Sequence, residues 1–110
     1  MLTFVESPAF TKQRTDLWSD AEYSAFQHFL AARPEAGDLI PGLGGLRKVR
    51  WSAKGRGKRG GARVIYLLLL QPGLIYFFQV YTRGDIADLA PDQKKRLRAA
   101  VEEIKKHHEK

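Results

Sequence analysis

The sequence contains no cysteine. Without thiols the chain cannot use a cysteine nucleophile, a disulfide framework or a zinc site of the usual cysteine type. It also lacks the paired-carboxylate spacing that is typical of other metal sites. We therefore expect no metal and no other cofactor, and a cytoplasmic location in a reducing compartment.

Long hydrophobic runs are also missing. The longest apolar run, Val64 to Leu70, is far too short to span a bilayer. The N-terminus places Glu6 early and has no long apolar segment, which is not the pattern of a signal peptide. The 110 residues are 44% hydrophobic and include six Phe, four Tyr and two Trp. We expect one soluble domain, residues 1–110, that buries a packed core.

Acidic residues are absent from a long internal stretch, between Asp38 and Asp85. That stretch holds nine of the 19 Lys and Arg: Arg47, Lys48, Arg50, Lys54, Arg56, Lys58, Arg59, Arg63 and Arg83. The formal net charge of +7 therefore comes entirely from this segment, because the rest of the chain is slightly acidic. A basic block in such a domain indicates a polyanionic partner, and nucleic acid is the leading candidate.

Local sequence patterns predict seven elements in the order β-α-α-β-β-β-α. They are a strand at Leu2–Val5, a helix at Pro8–Leu17, a helix from Ser19 to Arg33, strands at Leu46–Trp51, Ala62–Leu70 and Leu74–Tyr81, and a helix from Pro91. Loops are expected at Glu35–Gly45 and Ser52–Gly61, and His107 with His108 in a frayed tail. This order predicts a small α+β domain in which helices pack on an antiparallel sheet.

The helix starts and one turn have the clearest local signatures. Ser7 followed by Pro8 is an N-cap and N1 pair. Ser19 and Glu22 have capping-box spacing, and Trp18 with Tyr23 has the spacing of a hydrophobic staple. Pro-Gly after Gln71 predicts a tight turn between the last two strands. The strand before that turn is apolar on both faces, which predicts a central position in the sheet.

The glycines of the basic loop form a literal G-x-G-x-x-G at Gly55, Gly57 and Gly60. A dinucleotide-binding fingerprint must follow a strand and open a helix, and here a strand follows instead. A phosphate-binding Walker loop needs Ser or Thr after its lysine, and this position is Arg59. We therefore reject both interpretations.

Strand pairing predicts that basic residues converge on one end of the sheet. A hairpin turning near Pro72 places Arg63 roughly opposite Tyr81, and a hairpin across the basic loop places Arg50 roughly opposite Arg63. The candidate site therefore comprises Arg50, Lys54, Lys58, Arg63, Tyr81 and Arg83. Because clustered like charges destabilise a free protein, packing alone gives no reason for this arrangement.

The sequence supports a functional role more strongly for some candidate residues than for others. Arg63 begins an apolar strand, where an unpaired charge is costly, so a functional role is favoured. Tyr81 fits an ordinary half-buried strand aromatic equally well. Generic contacts to phosphates are expected for the remaining basic residues: Arg47, Lys48, Arg50, Arg56 and Arg59. His28 is expected within a helix, and His107 with His108 in the frayed tail. None of the three histidines is therefore a good catalytic candidate.

The sequence resembles the RelE/HigB family of type II toxins over nearly the whole chain, and four segments carry the resemblance. They are GGLRKVRWSAKGRGKRGGARVIYLLL, IYFFQVYTRGDIADL, FVESPAF and SDAEYSAFQ, the last two being similar to the HigB-type branch. The resemblance implies a microbial RNase-like α+β fold and a toxin that cuts mRNA in the ribosomal A site. It also implies a cognate antitoxin, usually a helix-turn-helix protein of the HigA type, which brings the pair to operator DNA. No membrane partner is implied.

The resemblance also implies roles for individual residues. Arg63 matches the strand arginine that holds the scissile phosphate, and Arg83 matches the basic residue after the last strand. Lys54 and Lys58 match the loop lysines. Many relatives have a Tyr or His soon after that last basic position, whereas residues 85–89 supply neither.

The chemistry expected for such a site is attack of an RNA 2′-hydroxyl on the adjacent phosphate. Without a histidine pair, catalysis must rest chiefly on electrostatic stabilisation of the phosphorane by Arg63 and Arg83. Lys54 or Lys58 could act as the general base, because neighbouring cations lower the pKa of a lysine, and Tyr81 could carry a proton. Two alternatives stay open: a nucleic-acid-binding module without chemistry, and a gyrase-poisoning toxin of the same fold.

Overall fold

A computed structural model of the chain describes residues 2–53, 57–82 and 90–108, apart from the side chains of residues 52–60 and 81. The elements of these ranges are β1 (Thr3–Glu6), α1 (Pro8–Leu17), α2 (Asp20–Ala32), β2 (Asp38–Leu39), β3 (Leu46–Ala53), β4 (Gly57–Leu69), β5 (Leu74–Thr82) and α3 (Pro91–His108). The predicted α+β class is confirmed. None of these helices is long and apolar enough to cross a membrane.

The strands form one sheet in the order β1-β5-β4-β3-β2. The pairs β2–β3, β3–β4 and β4–β5 are antiparallel, but β1 pairs with β5 in parallel. The prediction of an antiparallel sheet is therefore wrong for this edge, and the sheet is mixed. A parallel neighbour needs a long crossover, and the chain between β1 and β5 contains two helices and three strands.

The sheet is covered on both faces. On one face, the helices α1 and α2 pack through Phe10, Tyr23, Phe26 and Leu30 against Val64, Tyr66, Phe77 and other buried residues. On the other face, Leu97 and Val101 of α3 pack against Leu46, Ile65 and Leu67. The strand β4 lies between β5 and β3, so its predicted central position is confirmed.

The predicted helix starts are confirmed in their hydrogen bonds. The Ser7 hydroxyl accepts from the backbone N–H of Phe10 at 3.0 Å. Ser19 accepts from the Glu22 N–H, and the Glu22 carboxylate accepts from the Ser19 N–H, so the capping box is complete. The rings of Trp18 and Tyr23 lie 6.0 Å apart and nearly parallel. These contacts fix where both helices begin.

Three predictions about irregular segments are wrong. Strand pairing extends from β3 and β4 into the expected Ser52–Gly61 loop, with Ala53 opposite Gly57 after a register shift. The expected Glu35–Gly45 loop contains β2, which pairs with β3. The helix α3 continues through His108, whose Nε2 lies 2.8 Å from the Tyr76 hydroxyl. In each case a tertiary contact stabilises a segment that local propensity leaves irregular.

Candidate nucleic-acid interface

Three residues form a row across neighbouring strands. Arg63 on β4 lies opposite Arg50 on β3 and opposite Tyr81 on β5. Both predicted pairings are therefore confirmed at the level of backbone register. Directly opposed residues in a sheet have neighbouring Cβ atoms, so the row brings two guanidinium groups together on one face.

We call Arg50 and Arg63 the arginine row, and both lie on the face of the sheet against which α3 packs. Side chains alternate along a strand, so Arg63 shares its face with Ile65, which contacts the α3 core. The apolar side chains of α3 cover the part of this face around Ile65 and Leu67. Beyond them Arg50 is exposed and Arg63 is partly buried. The row therefore lies at the end of the sheet that the apolar stripe of α3 does not cover.

The positive charges of this row are not neutralised within the described residues. The ion pairs found there join Arg14 to Glu6 and Arg47 to Glu35. Neither Arg50 nor Arg63 has a carboxylate partner in these ranges. Two adjacent cations without counter-ions attract an anion, and the planar guanidinium matches the geometry of a phosphate.

An open depression of about 510 Å³ adjoins the row, and we call it the edge pocket. Its lining residues are Phe29, Ala36, Asp38, Lys48, Val49, Arg50 and Arg63. It lies where the short strand β2 meets β3 near the edge of the sheet. The pocket opens around this edge: Phe29, partly exposed, approaches it from the α2 face, whereas Asp38 and the basic side chains belong to the α3 face. Nothing in the sequence pattern of Phe29 or Asp38 indicated a place in the site.

Arg47 has a different environment from the other predicted phosphate contacts. Its Nη1 donates to the carbonyl of Gly37 at 2.7 Å, and its Nη2 lies 3.6 Å from the Glu35 carboxylate. The side chain is only 18% exposed. These contacts anchor the segment between α2 and β2 and give Arg47 a structural role, and its predicted contact with an RNA phosphate stays a prediction.

The same segment is also held by Tyr66. The Tyr66 hydroxyl donates to the Pro34 carbonyl at 2.8 Å and accepts from the Gly37 N–H at 2.9 Å. Burial raises the pKa of Tyr66, which keeps its hydroxyl neutral and able to donate. A Cβ at Gly37 would lie 2.9 Å from the Tyr66 ring, so only glycine fits this approach. The position of Asp38 in the edge pocket follows from this anchoring.

Several predicted site residues lie outside the described residues. They are Lys54, Arg56 and Arg83 in full, and Lys58, Arg59 and Tyr81 in their side chains. Among the residues that the structure does describe, Lys48 lines the edge pocket with Arg50 and Arg63. No group of three or more His, Asp or Glu in these ranges could hold a metal ion.

Comparison with known proteins places this geometry in a known fold. No family model matches the sequence. The isolated RelE toxin of E. coli superposes with a TM-score of 0.54, over 91% of this chain and 99% of that chain, at 12% sequence identity. The chain has the RelE fold. The RelE-like fold expected from the sequence is thereby confirmed.

A second solved structure, the archaeal RelE–RelB complex from Pyrococcus horikoshii OT3, matches at a TM-score of 0.49 and 24% identity. That match covers 77% of this chain and 98% of the other. The HigB-type branch is a finer assignment than the fold and stays a prediction.

Proposed function

We propose that the chain is the toxin of a type II toxin–antitoxin system and acts as a ribosome-dependent endoribonuclease on mRNA. The observation that carries the proposal is Arg63, a partly buried cation on the central strand of a RelE fold, opposite Arg50 and Tyr81 in register. A protein that only binds nucleic acid can use exposed cations. Partly burying one on the central strand is costly, and that cost is offset where a fixed charge must meet a reacting phosphate.

The proposed reaction needs no metal. The RNA 2′-oxygen attacks the adjacent phosphorus as its proton leaves to a base, the P–O5′ bond breaks, and the 5′-oxygen takes up a proton. The products are a 2′,3′-cyclic phosphate and a 5′-hydroxyl. Arg63 and Arg83 stabilise the negative charge of the phosphorane as fixed cations. Lys54 or Lys58 is the general base, and Tyr81 carries a proton.

The remaining basic residues fit a supporting role in RNA and ribosome binding. Lys48 and Arg50 line the edge pocket beside Arg63, while Arg56 and Arg59 are proposed as further phosphate contacts. Weak intrinsic chemistry suits an enzyme whose substrate is positioned by the ribosome. The proposed partners are mRNA, the ribosome and a cognate antitoxin of the HigA-type helix-turn-helix class, all in the cytoplasm.

The test is induction of the protein in bacteria without its antitoxin. Amino-acid incorporation should fall, and new mRNA 5′ ends should appear on translated messages but not on copies whose start codon is destroyed. Arg96→Ala, which removes an exposed arginine of α3 that does not line the edge pocket, serves as the matched control for Arg63→Ala. Normal incorporation at confirmed soluble expression contradicts the proposal. RNA binding without new ends would identify a binding module, and damaged DNA with intact mRNA would identify a gyrase poison.

A further inference from the structure

The edge pocket holds two residues that the proposed cleavage chemistry does not use, Phe29 and Asp38. Phe29 projects from α2 and is partly exposed, and its ring centre lies 4.8 Å from that of Trp51, with the planes tilted by 31°. Asp38 begins β2, is exposed, and lies opposite Lys48 in register. Within the described ranges Asp38 has no ion-pair partner. Both side chains are therefore accessible to a ligand in the edge pocket.

A carboxylate in this position is unfavourable for phosphate binding alone. Asp38 repels the anion that Lys48 and Arg50 attract. It becomes favourable where the ligand carries a hydrogen-bond donor next to its phosphate. The amino groups of cytosine, adenine and guanine are such donors, and carboxylates accept from them. Uracil carries no amino group and offers only its N3–H as a donor.

The Phe29 ring can contact the face of a base, whereas Asp38 contacts its edge. Proteins that read single-stranded RNA stack unpaired bases on aromatic side chains and hydrogen-bond the base edges. Phe29 is fixed on one side by Trp51, so a base stacking on it would meet a ring that is already ordered. The volume of about 510 Å³ lies within the range of small-molecule pockets, about 300–1,000 Å³, and is sufficient for one nucleotide.

We infer that the edge pocket binds one unpaired nucleotide of the RNA, next to the phosphate held by Arg63, with its base against Phe29 and a base amino group donating to Asp38. The inference rests on the proposed function in taking RNA as the ligand. It adds a base-reading site to the cleavage site. Amino-bearing bases are therefore preferred over uracil at one position beside the cut.

Binding can be measured apart from cleavage with short 2′-O-methyl RNA, which lacks the attacking hydroxyl. Oligocytidine and oligouridine stack similarly and differ at the base edge, at N3 and in the group on C4, so their comparison tests recognition of that edge. Wild-type protein should bind oligocytidine several-fold more tightly, and Asp38→Ala, which removes the acceptor, should abolish that difference. Phe29→Leu should weaken binding of both about tenfold, whereas Phe29→Tyr should retain it.

Asp16→Ala, which removes an exposed carboxylate of α1, is the matched control and should leave the preference unchanged. Thermal melting checks that Phe29→Leu remains folded. If Phe29→Leu unfolds, Asp38→Ala still tests the inference, because Asp38 is exposed. Retention of the cytosine preference by Asp38→Ala overturns the inference, as does wild-type binding by folded Phe29→Leu.

Base binding in the edge pocket and the proposed nuclease activity can be tested separately. If wild-type protein cuts translated mRNA and Asp38→Ala leaves the base distribution at the cuts unchanged, the pocket assignment is wrong and the nuclease stands. If nothing is cut but the cytosine preference is present and lost in Asp38→Ala, the pocket assignment is right and the nuclease is wrong.

Discussion

The side chain of Gln13 on α1 accepts a hydrogen bond from the backbone N–H of Val80 on β5, at 3.0 Å. The parallel strand β1 accompanies β5 only as far as Phe77, opposite Glu6. Beyond that point, the Ser7 hydroxyl donates to the Phe78 carbonyl at 2.7 Å. The helix α1 and its N-cap thus replace the missing strand along the end of β5 that carries Tyr81.

Gln13→Met removes this acceptor at nearly constant volume and should loosen the end of β5. We expect faster hydrogen exchange at the Val80 amide, a melting temperature lower by only a few degrees, and cleavage reduced about tenfold through misplacement of the proposed site. Gln13→Glu keeps an acceptor and should restore both exchange protection and cleavage. Equal exchange in all three proteins would show that the hydrogen bond does not hold the strand.

Arg63→Ala should lose cleavage while keeping the fold, because removing one charge from adjacent cations relieves repulsion. The expected loss is about a hundredfold or more, the scale of one missing electrostatic stabiliser. Arg63→Lys keeps the charge without the bidentate fork and should rescue binding better than cleavage. The measurements are ribosome-dependent cleavage and thermal melting. Wild-type cleavage by Arg63→Ala, or its unfolding, would make Arg63 a structural residue.

Arg56 and Arg59 are predicted to bind phosphates without reading sequence. Replacing both by alanine should weaken RNA binding for all sequences alike. The slope of log K against log salt concentration should flatten by about 0.7 for each phosphate of the single strand that the variant no longer neutralises. Titration of labelled RNA at several salt concentrations measures this slope. An unchanged slope would place both side chains away from the RNA.

Glu6 is the centre of a small polar cluster between β1, α1 and α2. Its carboxylate accepts from the Tyr23 hydroxyl at 2.6 Å and from Thr11 at 2.7 Å, and pairs with Arg14 at 3.0 Å. Burial by itself would raise the pKa of Glu6, but these hydrogen bonds outweigh it and hold the pKa below the ordinary value of 4.5. Burial and the bond to Glu6 raise the pKa of Tyr23.

Because the pKa of Glu6 is lowered, the free energy of unfolding depends on pH in the acid range. The folded protein binds the Glu6 proton more weakly than the unfolded chain, so the stabilisation is present above about pH 4.5 and is lost as pH falls through the folded pKa. Glu6→Gln should cost about 1 kcal/mol at neutral pH, and the difference from wild type should shrink in acid. Urea unfolding across pH measures both effects. Glu102→Gln, an exposed control on α3, should show neither, and a pH-independent difference would contradict the assignment.

The sequence predicted the local events of the fold well. The N-caps at Ser7 and Ser19 and the turn after Gln71 each depend on residues within a few positions of one another. The opposition of Arg63 to Tyr81 also followed from the sequence, because a short turn fixes the register of an antiparallel pair. The opposition of Arg63 to Arg50 followed from the hairpin expected across the basic loop. The arginine row was therefore predictable from the sequence.

Only the tertiary structure decided which distant segments meet. The parallel pairing of β1 with β5 joins residues more than seventy positions apart, and no local pattern specifies such a partner. Likewise, Tyr66 and Arg47 anchor the segment that places Asp38 in the same pocket as Phe29. Local propensities are set by neighbouring residues, whereas these contacts depend on how the helices and the sheet pack together. The sequence alone thus determined the charged row, and tertiary packing determined the pocket beside it.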